Sequence, residues 1–330
     1  MLTGPGPISP QPVMNQLEQL KRFSSVVIDT GDMDMVRNYK PVDATTNPSL
    51  IYKAALLPRY QDLITRILHD LRHRSTSYGV DEAIDRIAVA LGKEILSCIP
   101  GKVSTEVDAR LSFDVSATIQ KARQLITYYR QQGIERDRLL IKIAGTWEGI
   151  QAASVLEREG IKTNITLIFS LQQAEAAAQA GATLISPFVG RILDWHRQHN
   201  PQAVYTGDQD PGVQSVRAIY QRFKACGYAT IVMAASFRDL DEIRNLAGCD
   251  KLTLAPKFLE ALQASNEPLQ RQLQPDPALT STRVPEREQD FRWSLNENAM
   301  ATEKLSEGIR LFTEDLRALE KQLKQWPTSR

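Results

Sequence analysis

Eight short apolar runs, each followed by turn residues or a helical pattern, leave this chain few architectures. They lie near 26–30 (VVIDT), 44–47 (ATTN), 103–108 (VSTEVD), 139–144 (LLIKIA), 163–169 (TNITLIF), 183–188 (TLISPF), 230–236 (TIVMAAS) and 251–255 (KLTLA). Amphipathic helical patterns separate them, for example 114–133, 147–159, 171–180 and 211–226. Gly133, Gly160 and Gly181 stand where a helix ends and a strand follows. Strands alternating with helices predict a parallel sheet. Eight of them in 330 residues predict a single closed (β/α)8 barrel, an α/β fold.

Two stretches depart from the plain beat. The segment 49–99 carries two helical patterns, split near His73–Gly79. The segment 266–290 is polar and holds Pro268, Pro275, Pro277 and Pro285, which predicts a long exposed connection. A long helix follows over roughly 298–325, with Leu305, Ile309, Phe312, Leu316, Leu319 and Leu323 at helical spacing. Residues 1–13, rich in Pro and Gly, are expected to form a loose tail. Residues 14–330 then make one barrel domain that includes the C-terminal helix.

The fourth run, Leu139–Ala144, is apolar except for Lys142 in its middle. Such a run is expected to be buried on both faces. A buried ammonium needs a partner charge or sheds its proton. A desolvated neutral lysine amine attacks carbonyl carbon and forms a Schiff base. The bland alternative is a lysine that snorkels to water from a strand end.

Strand parity decides between these readings. Side chains of a barrel strand alternate between the interior and the helix layer. Lys142 shares a face with Leu140 and Ala144, and Asp29 shares one with Val27. Thr45 pairs in parity with Asn47, Ser104 with Glu106 and Asp108, Asn164 with Thr166, and Ser186 with Phe188; Ser236 ends its strand. Taken singly, each is equally well a satisfied core polar residue. Taken together, a closed barrel converges them on one axis around Lys142.

Arg191 follows the sixth run and Arg238 the seventh. Barrel loops after late strands often hold phosphate, and the guanidinium fork suits its oxygens. Ser236 and nearby backbone N–H groups are expected to complete that site. His69 and His73, and likewise His196 and His199, lack a third ligand and are expected to be solvated, with no metal. No Gly-rich nucleotide loop occurs. A net charge of +1 gives no reason to expect nucleic acid or an anionic membrane surface. No apolar run approaches membrane-spanning length, and the first residues lack the basic and apolar regions of a signal peptide. Cys98, Cys226 and Cys249 have no metal or redox spacing, which points to reduced thiols in the cytoplasm.

The motifs, taken in order, resemble those of the transaldolase family. They are VVIDTGD (26–32), DATTNPSLI (43–51), GKVSTEVDARLS (101–112), RLLIKIAGTWEGI (138–150), NITLIFSLQQA (164–174), ISPFVGRILDW (185–195), DPGV (210–213) and AASFR (234–238). The resemblance runs from about residue 15 to about residue 325 and fits the family's long branch, which has a long helix after strand eight.

The resemblance implies a cofactor-free enzyme of the pentose phosphate pathway that acts on phosphorylated sugars. Such an enzyme moves a dihydroxyacetone unit from sedoheptulose 7-phosphate to glyceraldehyde 3-phosphate, giving erythrose 4-phosphate and fructose 6-phosphate. It implies Lys142 as the Schiff-base lysine, Asp29 as the base at the C4 hydroxyl, and Glu106 acting through a water held with Thr166. Asn47, Asn164 and Ser186 match residues that bind the dihydroxyacetone hydroxyls; Thr45, Ser104 and Phe188 face the same axis. Arg191, Ser236 and Arg238 match the phosphate site. A homodimer in the cytoplasm is implied as well. Two alternatives compete: a fructose-6-phosphate aldolase that releases dihydroxyacetone, and a phosphosugar-binding barrel without chemistry. Aldolase relatives use a tyrosine near the lysine, where this chain offers Phe188 and Glu106. The joint presence of Lys142, Asp29 and Glu106 argues against an inert barrel.

Overall fold

A computed structural model describes residues 14–74, 79–276, 278 and 280–327. Eight parallel strands close into a barrel in sequence order. They are β1 (Ser25–Asp29), β2 (Asp43–Thr45), β3 (Val103–Glu106), β4 (Leu139–Ala144), β5 (Thr163–Ile168), β6 (Leu184–Pro187), β7 (Ile231–Ala234) and β8 (Lys251–Leu254). All eight expected strands are present, and the (β/α)8 reading holds. Val27, Leu140, Leu184 and Met233 form a small buried cluster inside the barrel. Residues of opposite parity, such as Val26, Ile28, Ile141, Ile143 and Ile185, join the large core between sheet and helices. The period of two read from the sequence therefore separates the two cores. The expected tail over residues 1–13 lies outside the described residues.

Several boundaries differ from expectation, each for a local reason. The segment 49–99 holds three helices, not two: Pro48–Ala55, Pro58–Arg74 and Val80–Leu96. Pro58 has no N–H to continue the first helix and so opens the second. β3 stops at Glu106, and Asp108 leaves the strand to accept the Arg110 N–H at 2.8 Å. β5 bulges, because Ile165 pairs with Ile185 but Ile168 pairs with Pro187. Leu167 within that bulge takes a left-handed backbone, φ 56°. β7 ends before Ser236, which is also left-handed at φ 62°.

Among the described residues the polar connection after residue 265 is irregular until helix Glu288–Glu297, which begins within the stretch expected to be an exposed connection. It is exposed over most of its length, yet Leu269 and Leu273 are buried. Gln272 and Leu273 both donate to the Ala247 carbonyl, at 2.7 and 2.9 Å. The last helix, Ala299–Lys324, is capped by Asn298, whose side chain accepts the Ala301 N–H. It does not simply cover the barrel's side. Met300, Ala301, Leu305, Ile309 and Phe312 pack with Leu167, Phe169, Phe188 and Ala235 in a cluster of their own at the C-terminal ends of β5, β6 and β7. Among the described residues no helix is long and apolar enough to cross a membrane.

Candidate active site

The site grows from the register of β3, β4 and β5. Glu106 is the cross-strand partner of Lys142, and Lys142 that of Asn164. Neighbours in a parallel register point to the same side, so three polar side chains enter the barrel at one level. Lys142 is only 4% exposed. Its Nζ lies 3.0 Å from Glu106 Oε2 and 3.4 Å from the Thr46 carbonyl oxygen, to which it donates. The buried ammonium has thus found the counter-charge it requires. It does not snorkel; the ring of Phe312 lies over it, 5.6 Å from the centroid.

Burial pushes the Glu106 carboxyl above its ordinary value, with the Lys142 charge opposing that rise. Asp29 is raised in the same way: burial dominates, while Lys142 and the hydrogen bond from Thr45 pull it down. Thr45 Oγ1 donates to Asp29 at 2.7 Å and lies 2.9 Å from Thr253 Oγ1. Two buried carboxylates thus share one lysine charge. Carboxyl groups raised by burial beside a charged partner cluster at sites of acid–base chemistry.

A cavity of about 130 Å³ opens over this cluster. Its wall includes Asp29, Thr45, Asn47, Lys142, Thr166, Ser186, Phe188, Arg191 and Ser236, nine of the residues singled out in the sequence. Asn47 also caps helix Pro48–Ala55 by accepting the Leu50 N–H at 2.9 Å. Ser104 and Asn164 lie beneath the wall: Asn164 Nδ2 donates to Ser104 Oγ at 3.1 Å, and Ser186 Oγ donates to Asn164 Oδ1 at 2.7 Å. Thr166 Oγ1 is buried with no protein partner. A buried hydroxyl left free in this way is suited to hold a water or a substrate group.

The two arginines differ. Arg191 is largely buried, and burial together with the neighbouring Arg238 charge lowers its pKa. Its Nη1 has no protein partner, and the guanidinium stacks 5.2 Å from the Phe188 ring centroid and 5.7 Å from that of Phe312. Arg238 instead makes a bidentate bond to Asp194, with Nη2 to Oδ2 at 2.6 Å. It stands beside the cavity, outside its wall.

Sequence reasoning missed five residues of the wall: Ser49, Met233, Ala235, Thr253 and Phe312. Thr253 had a signal, since it is the polar residue between Leu252 and Leu254 on a strand whose parity was not pursued. Phe312 had none, because an aromatic in an apolar helical stripe looks the same over a site as over a core. His69 and His73 do meet, Nε2 to Nε2 at 3.0 Å, but on an exposed helix surface.

Over residues 26–323 the chain matches the family described as transaldolase/fructose-6-phosphate aldolase. It is 53% identical over 315 residues to a protein of Alteromonas mediterranea named transaldolase, covering 94% of this chain and 98% of that one. It is 52% identical over 312 residues to a transaldolase of Cellvibrio japonicus, with 94% and 98% covered. A site built around a buried lysine and two carboxylates, and a match over nearly the whole length, agree: the chain belongs to the transaldolase/fructose-6-phosphate aldolase family.

Proposed function

We propose that this protein is a transaldolase that works through a Schiff base on Lys142. The observation that carries the reading is one buried lysine amine, 3.0 Å from Glu106 Oε2, in a barrel mouth that also holds Asp29. The donor is sedoheptulose 7-phosphate or fructose 6-phosphate. The acceptor is glyceraldehyde 3-phosphate or erythrose 4-phosphate.

The steps follow from these groups. A proton passing from Lys142 to Glu106 leaves a neutral amine, which adds to the donor ketone. Glu106 returns the proton to the carbinolamine oxygen, and water leaves as the iminium forms. The free hydroxyl of Thr166 supports the reading that this water is held there. Asp29 then takes the C4 hydroxyl proton. The C3–C4 bond breaks, its electron pair passes into the iminium, and an aldehyde departs from the enamine left on Lys142. The enamine carbon attacks the acceptor aldehyde, Asp29 protonates the new alkoxide, and water with Glu106 hydrolyses the imine. Asn47, Asn164 and Ser186 are assigned to the hydroxyls of the three-carbon unit, with Thr45 orienting Asp29 and Ser104 orienting Asn164. Arg191, Ser236 and Arg238 are assigned to the phosphate. Nothing in this sequence of proton transfers calls on a cofactor. The reading also carries a homodimeric cytoplasmic enzyme.

The family's description joins two activities, so the aldolase reading stays as the second one. Phe188 and Phe312 on the cavity wall favour transfer, because neither offers a proton to the enamine carbon. Borohydride with fructose 6-phosphate should leave one reduced adduct, on Lys142, by mass spectrometry. With acceptor omitted, about one equivalent of glyceraldehyde 3-phosphate per site should form before turnover slows. Sustained release of free dihydroxyacetone without acceptor would reject the transferase reading.

A further inference from the structure

The loop after β7 is held by a carboxylate that the proposed chemistry does not use. Glu242, in helix Leu240–Asn245, is 2% exposed. Its Oε2 accepts the backbone N–H of Arg238 at 2.5 Å, and its Oε1 is buried without a partner. Asp239 caps the same helix by accepting the Asp241 and Glu242 N–H groups, each at 3.0 Å. Loop and helix start are therefore one hydrogen-bonded unit. Burial pushes the Glu242 carboxyl up to about 7, with the Arg238 N–H opposing and the Asp210 and Asp239 charges adding to the rise. A buried carboxylate is a costly acceptor for a single backbone donor, so its place needs a further reason.

The loop itself supplies one. Ser236 is left-handed, φ 62°, a conformation that a side chain other than glycine disfavours and that persists only where its surroundings over-determine it. From the β6 side, Gly190 N–H donates to the Ser236 carbonyl and Val189 N–H to the Ala235 carbonyl, each at 2.9 Å. That approach is so close that a Cβ on Gly190 would lie 2.6 Å from the Ser236 oxygen and 2.5 Å from Arg238 Cγ. Glu242, in the helix that follows, holds the Arg238 N–H two residues on.

We propose that Glu242 is a positioning residue for the phosphate end of the site: by clamping the Arg238 backbone it fixes Ser236 on the cavity wall and Arg238 beside it. This rests on the assignment of Arg191, Ser236 and Arg238 to phosphate. In this proposal Glu242 does not touch the substrate; it acts through the two residues assigned to the phosphate.

Steady-state kinetics with fructose 6-phosphate and erythrose 4-phosphate separate KM from kcat. Borohydride trapping with dihydroxyacetone, which has no phosphate, is the control. Glu242→Ala should raise KM for fructose 6-phosphate by about tenfold or more, the scale of a lost charge-assisted hydrogen bond, with kcat changed far less. Half-saturation by dihydroxyacetone should stay at the wild-type value. Glu242→Gln keeps an acceptor oxygen of the same reach and should restore most of the KM. Should Glu242→Ala fail to fold, Glu242→Asp, one methylene shorter, carries the same expectation at smaller size. Unchanged KM in a folded variant, or equal loss with both ligands, overturns the proposal. Arg191→Ala separates the two assignments. If it spares dihydroxyacetone while Glu242→Ala does not, the phosphate site stands and the role of Glu242 falls. If Arg191→Ala harms both ligands alike, the phosphate assignment falls and takes the proposal with it.

Discussion

Phe312 is the residue whose removal tests how the C-terminal helix and the chemistry depend on each other. Its ring is 3% exposed and lies 5.6 Å from Lys142 Nζ and 5.7 Å from the Arg191 guanidinium carbon. Phe312→Ala should lower stability by roughly 3–5 kcal/mol, the usual range for a buried phenylalanine. The two cation–ring contacts, each about 0.5–2 kcal/mol, fall within that figure and are not added to it. For a chain of this size the Tm should drop by roughly 4–7 °C, since a larger chain shifts less per kcal/mol than a small one. The catalytic effect runs the other way for hydrolysis. Opening the wall over Lys142 lets water reach the enamine, so acceptor-free release of dihydroxyacetone from fructose 6-phosphate should rise relative to transfer. A rise of about tenfold corresponds to about 1.4 kcal/mol of barrier. The assay is a coupled measurement of both products with and without erythrose 4-phosphate, alongside thermal unfolding. Phe312→Leu, which refills most of the space, should recover stability and much of the water exclusion. A lowered Tm with an unchanged release-to-transfer ratio would refute the shielding role and leave Phe312 as core alone.

Three further tests address the remaining groups. Lys142→Arg keeps the positive charge but cannot form an imine, because a guanidinium stays protonated; turnover and the borohydride adduct should both vanish. Asp29→Asn and Glu106→Gln keep shape and remove the base, and each should lower kcat by about 10²–10⁴-fold; near-normal turnover in Asp29→Asn would remove it from the C–C bond step. For Glu242, burial raises the folded value to about 7 from 4.5, so its contribution to stability is full at low pH and is lost as pH rises through about 7. Glu242→Gln should therefore match the wild type near pH 4 and exceed it by roughly 2–3 kcal/mol at pH 8, read as denaturant midpoints; a difference independent of pH would contradict the buried carboxylate.

The barrel was legible because its rules are local. Strands of period two and helices of period 3.6 leave their marks within a few residues, and glycines such as Gly133, Gly160 and Gly181, all left-handed in the structure, marked the joints between them. The same parity put Asp29, Thr45, Glu106, Lys142, Thr166 and Ser186 on the inner face, since a side chain's direction in a strand follows from counting. Family motifs then added roles that counting alone does not supply. What lies beyond one element was not legible. That Phe312 closes over Lys142 depends on where a helix about 170 residues downstream crosses the barrel mouth. That Arg238 spends its guanidinium on Asp194, and that Glu242 holds the Arg238 backbone, depends on three chain segments meeting. The left-handed turns at Leu167 and Ser236 have no glycine to announce them. Their conformations are disfavoured locally and are held by hydrogen bonds and packing from distant elements, so only the folded structure decides them.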